Sequence, residues 1–351
     1  MNNRRADLLL DEGRVNVALQ PHHQLISLVE ATVFGSDGLR YRRLNVQSQL
    51  DRFCAPSYFH AMADNELVGV YVVDKRDLLF NGSPVRGYYR GVLAVDKTFQ
   101  GMGVGKALTT SAMQWMADNA QGQPAISFGC IDQSNQRSLA LLKTTGANVG
   151  ASLSMYMMYG QWPSVRCKLD ALSGELVDEA RALANDLYAD CAVRDVSASR
   201  LPGWICRDTY GIAISARVAT TSFQITRMGG MAEWSTRLLV KPFAPARKRF
   251  DPDDFRYVSF SDVVIRPGCE KLWRQFVSTV LAKYQCHFGA VYVDPGSRLF
   301  THLQKAQMFS SLLHSSKGSI NVVWQQFHNA SGAHIELSGE KSIVQLWPVD
   351  A

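Results

Sequence analysis

The stretch Gln100-Gly101-Met102-Gly103-Val104-Gly105-Lys106 decides how this chain reads, because the apolar run 92–95 leads into it and an amphipathic pattern follows. Glycines lack a Cβ and tolerate positive φ, so successive backbone N–H groups can turn toward one anion at the amino end of a helix. Ala107, Leu108, Ser111, Ala112, Trp115 and Met116 then recur on one helical face. Strand, glycine loop and helix in that order form a phosphate cradle, and a diphosphate is its natural guest. Two common glycine loops fail on spacing. A nucleotide-binding P-loop requires glycine where Gln100 stands and Ser or Thr where Ala107 stands, and a dinucleotide fingerprint requires its third glycine at Lys106.

The pattern that fits is Gln-x-x-Gly-x-Gly at Gln100, Gly103 and Gly105. A second element follows at the right remove: Asn135-Gln136-Arg137-Ser138, then a helical run that ends in Gly146. Together these resemble the two signatures of the GNAT superfamily of acyl-CoA-dependent N-acyltransferases. The run Leu93-Ala94-Val95-Asp96-Lys97-Thr98-Phe99 resembles the family's strand-to-loop segment, with Lys97 where proline is frequent. The resemblance spans residues 15–160. It implies a cofactor site made by Leu93, Ala94 and Val95, by the loop Gln100, Gly101, Met102, Gly103, Val104, Gly105 and Lys106, and by Asn135 with Ser138 beside it. The plainer alternative is a glycine turn followed by an asparagine-capped helix.

Composition sets the frame. A chain of 351 residues with 46% hydrophobic residues exceeds what one core usually organises, so two domains are expected. No run is long enough to span a membrane, and the first residues lead into no signal core, so a soluble, cytoplasmic protein is expected. Seven cysteines without paired spacing, and the fragments Cys286-His287 and His22-His23, predict no disulfide framework and no metal site. The net charge of +6 is dispersed, apart from Arg247-Lys248-Arg249 with Asp251, Asp253 and Asp254 close behind. It suits an anionic cofactor, and nucleic acid is not expected to be the partner.

Element order predicts an α/β (α+β) fold of two tandem GNAT-like domains, each a mixed, mostly antiparallel twisted sheet flanked by helices. The expected bounds are 1–160 for the domain with the acyl-CoA site, 161–174 for a linker and 175–351 for a degenerate second copy. Patterns predict strands at 15–19, 58–63, 67–73, 85–95, 125–131 and 152–159, helices at 23–34 and 135–145, and a polar helix or loop over 40–53. In the second half Leu272, Trp273, Phe276, Val277, Val280 and Leu281 repeat the spacing of the first helix, and strand 288–293, helix 299–313, Gly318 and strand 319–327 follow. Only Arg266-Pro267-Gly268 stands where the first copy has its loop, and proline has no N–H to offer, so no second acyl-CoA is expected there.

For the chemistry, the resemblance implies direct attack of a primary amine on the thioester of acetyl-CoA in a ternary complex. Backbone N–H groups near 93–95 would polarise the carbonyl. The family's tyrosine acid, seven residues after the asparagine, is replaced by Leu142, with Tyr156 and Tyr159 as substitutes on position alone. Tyr88-Tyr89-Arg90-Gly91 offers no carboxylate, which leaves His60, Glu66 and Asp132 as candidate bases. The catalytic candidates are therefore Asp132, His60 and Tyr156. A small-molecule amine is the expected acceptor, with the second domain covering the pocket or forming a homodimer surface. The alternative is a non-catalytic acyl-CoA-binding sensor.

Overall fold

The computed structural model describes residues 15–35, 39–121, 123–133, 135–160, 166–197, 200–228, 250–306, 319–327 and 344–345. Residues 161–165, the basic run 247–249, Gly318 and positions 307–313 of the expected helix lie outside these.

The first half begins with β1 (Val15–Ala18), α1 (Leu25–Ala31), β2 (Phe34–Gly35), β3 (Leu39–Leu44), α2 (Val46–Leu50) and β4 (Pro56–Ala63). Then come β5 (Glu66–Phe80), β6 (Ser83–Val95), α3 (Val104–Ala120), β7 (Ala125–Asp132), α4 (Gln136–Lys143) and β8 (Asn148–Tyr159). The reversals between β4, β5 and β6 are tight, with Asp64 and Asn65 at φ 51° and 62° and Asn81 and Gly82 at 46° and 79°. Positive φ at both central residues gives the type I′ twist that hairpins need. The segment 40–53 departs from expectation. Its basic residues lie on a strand, β3, followed by the one-turn α2, because β3 pairs with a long strand of the second half from Leu44↔Ser222 to Leu39↔Met228.

The second half contains β9 (Asp170–Ala171), α5 (Glu175–Leu187), β10 (Val193–Asp195), β11 (Gly203–Asp208), β12 (Gly211–Met228) and β13 (Phe255–Ile265). It continues through α6 (Glu270–Lys283), β14 (Phe288–Val293), α7 (Arg298–Lys305), β15 (Ser319–Phe327) and β16 (Val344–Gln345). In α6 the residues Trp273, Phe276, Val277, Val280 and Leu281 are fully buried, as their spacing predicts.

All described strands join one sheet whose main path runs β1-β4-β5-β6-β7-β15-β8-β14-β13-β12-β11-β9. The path is symmetric about its centre. In each half an antiparallel series meets a parallel pair bridged by a long helix: β6 with β7 around α3, and β13 with β14 around α6. Each parallel pair is held over four positions, Arg86↔Ala125 to Tyr89↔Phe128 and Tyr257↔Phe288 to Phe260↔Val291. The strands then part. Each bears a register shift just past the split, between the partners of Tyr71 and Val73 in β6 and of Ser215 and Arg217 in β13. Such a shift is a β-bulge, which re-aims the backbone at a sheet rim.

The halves also exchange strands. β15 of the second half inserts between β7 and β8, while β8 pairs with β14. Farther out, β10 pairs with β5 and β3 with β12. A buried ion cluster accompanies the β10 crossing: Arg76 lies 2.6 Å from Asp74 and 3.4 Å from Asp195. The core splits by face, with α3 packed on one side of the first half (Phe59, Tyr88, Leu108, Met116) and α1, Phe53, Tyr89 and Phe128 on the other.

Candidate functional site

The geometry that makes a site is the V between β6 and β7. Past Tyr89 and Phe128 the two strands no longer pair, so residues 90–95 present one backbone edge to a cleft. Asp96 N–H donates to the Val68 carbonyl on β5 at 2.9 Å. By the alternation of an extended strand, Leu93 and Val95 therefore turn their peptide groups the other way, into the cleft. The Val95 carbonyl there accepts a hydrogen bond from Gln100 Nε2 at 3.1 Å. Just before these residues comes the bulge around Gly91, where a Cβ would fall 2.8 Å from the Phe53 ring. Behind it Tyr89 lies between Phe53 and Phe128, tilted against both, with ring centroids 6.3 and 5.3 Å away.

The cradle lies at the open end of the V. Asp96 caps the turn Lys97–Phe99 by accepting from Thr98 N–H at 2.8 Å. Gly101 and Gly103 follow at φ +82° and +96°, and Gly103 is the N-cap of α3. Met102 N–H donates back to the Phe99 carbonyl at 3.4 Å, so the cradle's donors are the N–H groups of the first turn of α3, at the positive end of a helix of 17 residues. The floor is open: an added Cβ at Gly101 would meet nothing within 4 Å, and one at Gly105 only Val95, at 3.8 Å. Lys97 and Lys106 are exposed at its rim. Arg137, from the first turn of α4, reaches across to Gln100 Oε1 at 3.4 Å. Position in the sequence alone did not mark Arg137, yet it brings a third cation to the loop.

Asn135 caps α4, its Oδ1 accepting from Ser138 N–H at 3.1 Å, which leaves the amide nitrogen as its donor. Asp132 is exposed at the end of β7, where Asn135 N–H donates to its carbonyl at 2.9 Å. His60 stands two strands from the cleft, in the register line His60↔Val70↔Ala94, and Val70 and Ala94 both face the α1 side. It is buried with its Nε2 unpartnered, and burial, with His22 beside it, lowers its pKa to about 4, so the ring is neutral. Tyr156 is placed elsewhere. It lies on β8, opposite Val291 of β14, in the core of the second half with Phe300 5.5 Å away, and burial raises its pKa. Two strands, β7 and β15, separate it from β6, so it does not face the cleft.

Arg90, which the sequence reading passed over, is the charged residue nearest the apex of the V. It is 4% exposed, and its Nη2 donates to the Val323 carbonyl of β15 at 2.7 Å. The corresponding V of the second half has no cradle. The turn 266–268 joins β13 directly to α6, with Gly268 at φ +87°, and an Arg266–Asp208 ion pair sits beside Cys269. At its bulge stands Asp262, whose carboxyl burial and the nearby Asp195 raise to about 6. Among the described residues no group of three His, Cys, Asp or Glu side chains is placed to hold a metal, and no helix is long and apolar enough to cross a membrane.

Comparison with known proteins bears on this arrangement. Residues 26–147 match the acetyltransferase (GNAT) family. No curated protein sequence matches the chain. Among solved structures it is similar to Saccharomyces cerevisiae N-myristoyltransferase with bound myristoyl-CoA and inhibitors, at 9% identity and a TM-score of 0.61 over 96% of this chain and 83% of that one. A myristoyl-CoA complex of the yeast enzyme gives a TM-score of 0.59 at 8% identity, over 88% and 78%. A GCN5-related glucosamine N-acetyltransferase region in a fungal multi-domain GH3 β-N-acetylglucosaminidase gives 0.52 at 12% identity, over 89% of this chain and 38% of that one. At such identities the structural likeness is one of fold. The family match falls on the half that holds the V, the cradle and α4, so residues 26–147 are similar to an acetyltransferase (GNAT) domain.

Proposed function

We propose that the protein transfers a short acyl group, acetyl in the first instance, from acyl-CoA to a primary amine. The observation that carries this reading is the coupling of an open glycine cradle at the α3 N-terminus to a bulged strand edge that ends in the same loop. The diphosphate would sit on the N–H groups of 103–106 at the start of α3, with Lys97, Lys106 and Arg137 around it, and Asn135 with Ser138 would border the pantetheine arm. The arm would run along the free edge of 93–95, whose N–H groups stabilise charge on the thioester oxygen as the amine attacks. In this reading the unit at 1–160 does the chemistry. The unit at 175–351, joined through 161–174, covers the acceptor side.

Two observations favour a short acyl group and a small acceptor. Phe53, Tyr89 and Phe128 fill the space behind the bulge, and the second half joins the first through β10 on β5 and the Arg76–Asp195 contact. Asp132 at the end of β7 is the group proposed to pass the amine's proton to water; His60, two strands away, lies outside the cleft. A longer acyl chain is the competing donor, because the yeast neighbour was solved with myristoyl-CoA. The test is calorimetric titration with acetyl-, octanoyl- and myristoyl-CoA, followed by thiol release across a pooled amine library. Tighter binding of the acetyl donor with release on some amine supports the proposal, and preference for the long chain overturns the acetyl assignment. Binding without release on any amine would favour an acyl-CoA sensor.

A further inference from the structure

Among the described residues, a buried cation without an acidic partner stands at the apex of the V. Arg90 Nη2 donates to the Val323 carbonyl, and among those residues its Nε and Nη1 are buried with no partner. The side chain crosses Gly129 of β7, where a Cβ would come within 3.3 Å of Arg90 Cβ and 3.6 Å of Nε. Gly129 alternates with Phe128, which faces α1, so the guanidinium lies on the opposite face of the sheet, the one that carries α3. The ionisable groups whose charge acts on it are Tyr71 from β5, on the α3 face, and Cys130 from β7, on the opposite face beside Phe128. Val323, whose carbonyl Arg90 meets, belongs to an apolar cluster with Leu139 and Leu142 of α4. A guanidinium held in such surroundings attracts any anion that forms beside it far more strongly than it would in water.

Acyl transfer produces one such anion. The amine lone pair attacks the thioester carbon, the C–N bond forms and the C–S bond breaks. The C–S electron pair leaves on sulfur, and the ammonium proton passes to water. We infer that Arg90 supplies the positive field into which the coenzyme's thiolate departs, so that the leaving group needs no proton donor there. The inference rests on the acyl-CoA reading of the site. The role is electrostatic, since an arginine does not give up its proton.

The test reads the thiol of bound coenzyme A directly. Thiolate absorbance of the protein–CoA complex is titrated against the complex with S-methyl-CoA, which has no thiol and cancels the protein's own cysteines. In the wild type the bound thiol should ionise about one unit or more below an ordinary thiol, at least about tenfold more thiolate at a given pH. Arg90→Met should return it to the free value or higher and Arg90→Lys should keep it lowered, while both bind CoA. Because an unpaired buried charge is removed, Arg90→Met should melt no lower than the wild type. Arg90→Gln, which keeps a donor for Val323, is the second charge-free variant. CoA binding with the same thiol ionisation in wild type and Arg90→Met overturns this inference alone. A wild type that does not bind CoA overturns the site reading and this inference with it.

Discussion

Gly103→Asp tests the cradle most directly. Gly103 sits at φ +96° and ψ −6°, so any L side chain there carries about 1–2 kcal/mol of backbone strain. In a chain of this size that lowers the melting temperature by only a few degrees. The same carboxylate would stand about 5 Å from a diphosphate of about two negative charges. Coulomb's law gives about 2 kcal/mol of repulsion in water-like surroundings and about 6 at an effective dielectric of 20. Affinity for acetyl-CoA should therefore fall at least about thirtyfold, and Gly103→Ala, with the strain and no charge, separates the two contributions. Isothermal titration calorimetry with acetyl-CoA reads the affinity, and a thermal melt of the same preparation reads the fold. A folded Gly103→Asp protein with wild-type affinity would refute the cradle.

Three further substitutions probe other parts of the molecule. Gly268→Asp, at the turn that replaces the loop in the second half, should leave one acetyl-CoA bound per chain. Loss of a second bound equivalent, measured by calorimetry, would show that the second half also binds the cofactor. Gly150→Ala places a Cβ 2.0 Å from the Trp324 indole across the β8–β15 pairing. It should destabilise the whole protein by about 1–3 kcal/mol in urea denaturation, and an unchanged midpoint would speak against the exchanged strand. Asp262 titrates above its unfolded value, so the folded state binds its proton more tightly and stability should fall as pH rises from about 4 to about 6. Its carboxylate is partly exposed and pairs with Arg217 at 3.6 Å, so screening moderates the effect. Asp262→Asn should flatten this slope when denaturant midpoints are compared at pH 4 and pH 7, and identical slopes would count against it.

What the sequence disclosed follows from how local each signal is. The glycine loop, the Asn135 cap and the hairpin turns at Asp64-Asn65 and Asn81-Gly82 are set by neighbouring residues, so they are legible in the sequence. Strands 288–293 and 319–327 were visible as apolar runs, but their neighbours were not, because pairing joins segments far apart in the chain. That gap accounts for Tyr156, which lies in the core of the other half because β8 crosses over. It accounts equally for β3, whose alternating basic residues look like a solvated segment until β12 pairs with them. Arg90 stayed unmarked for the same reason: a lone arginine in a strand reads as an edge residue, and its burial depends on β15, more than two hundred residues away.

The exchange of β8 and β15 sets a timetable for synthesis. When β7 leaves the ribosome the strand that covers its free edge does not yet exist, and nearly two hundred residues separate the end of β7 from the end of β15. At ordinary translation rates that interval is roughly 10–40 s. Through it the nascent first half holds an open strand edge, the kind of surface that pairs with other chains. The wall to which Arg90 is anchored therefore closes only after β15 has been made, and a ribosome stalled before it would display the cradle without a finished cleft behind it.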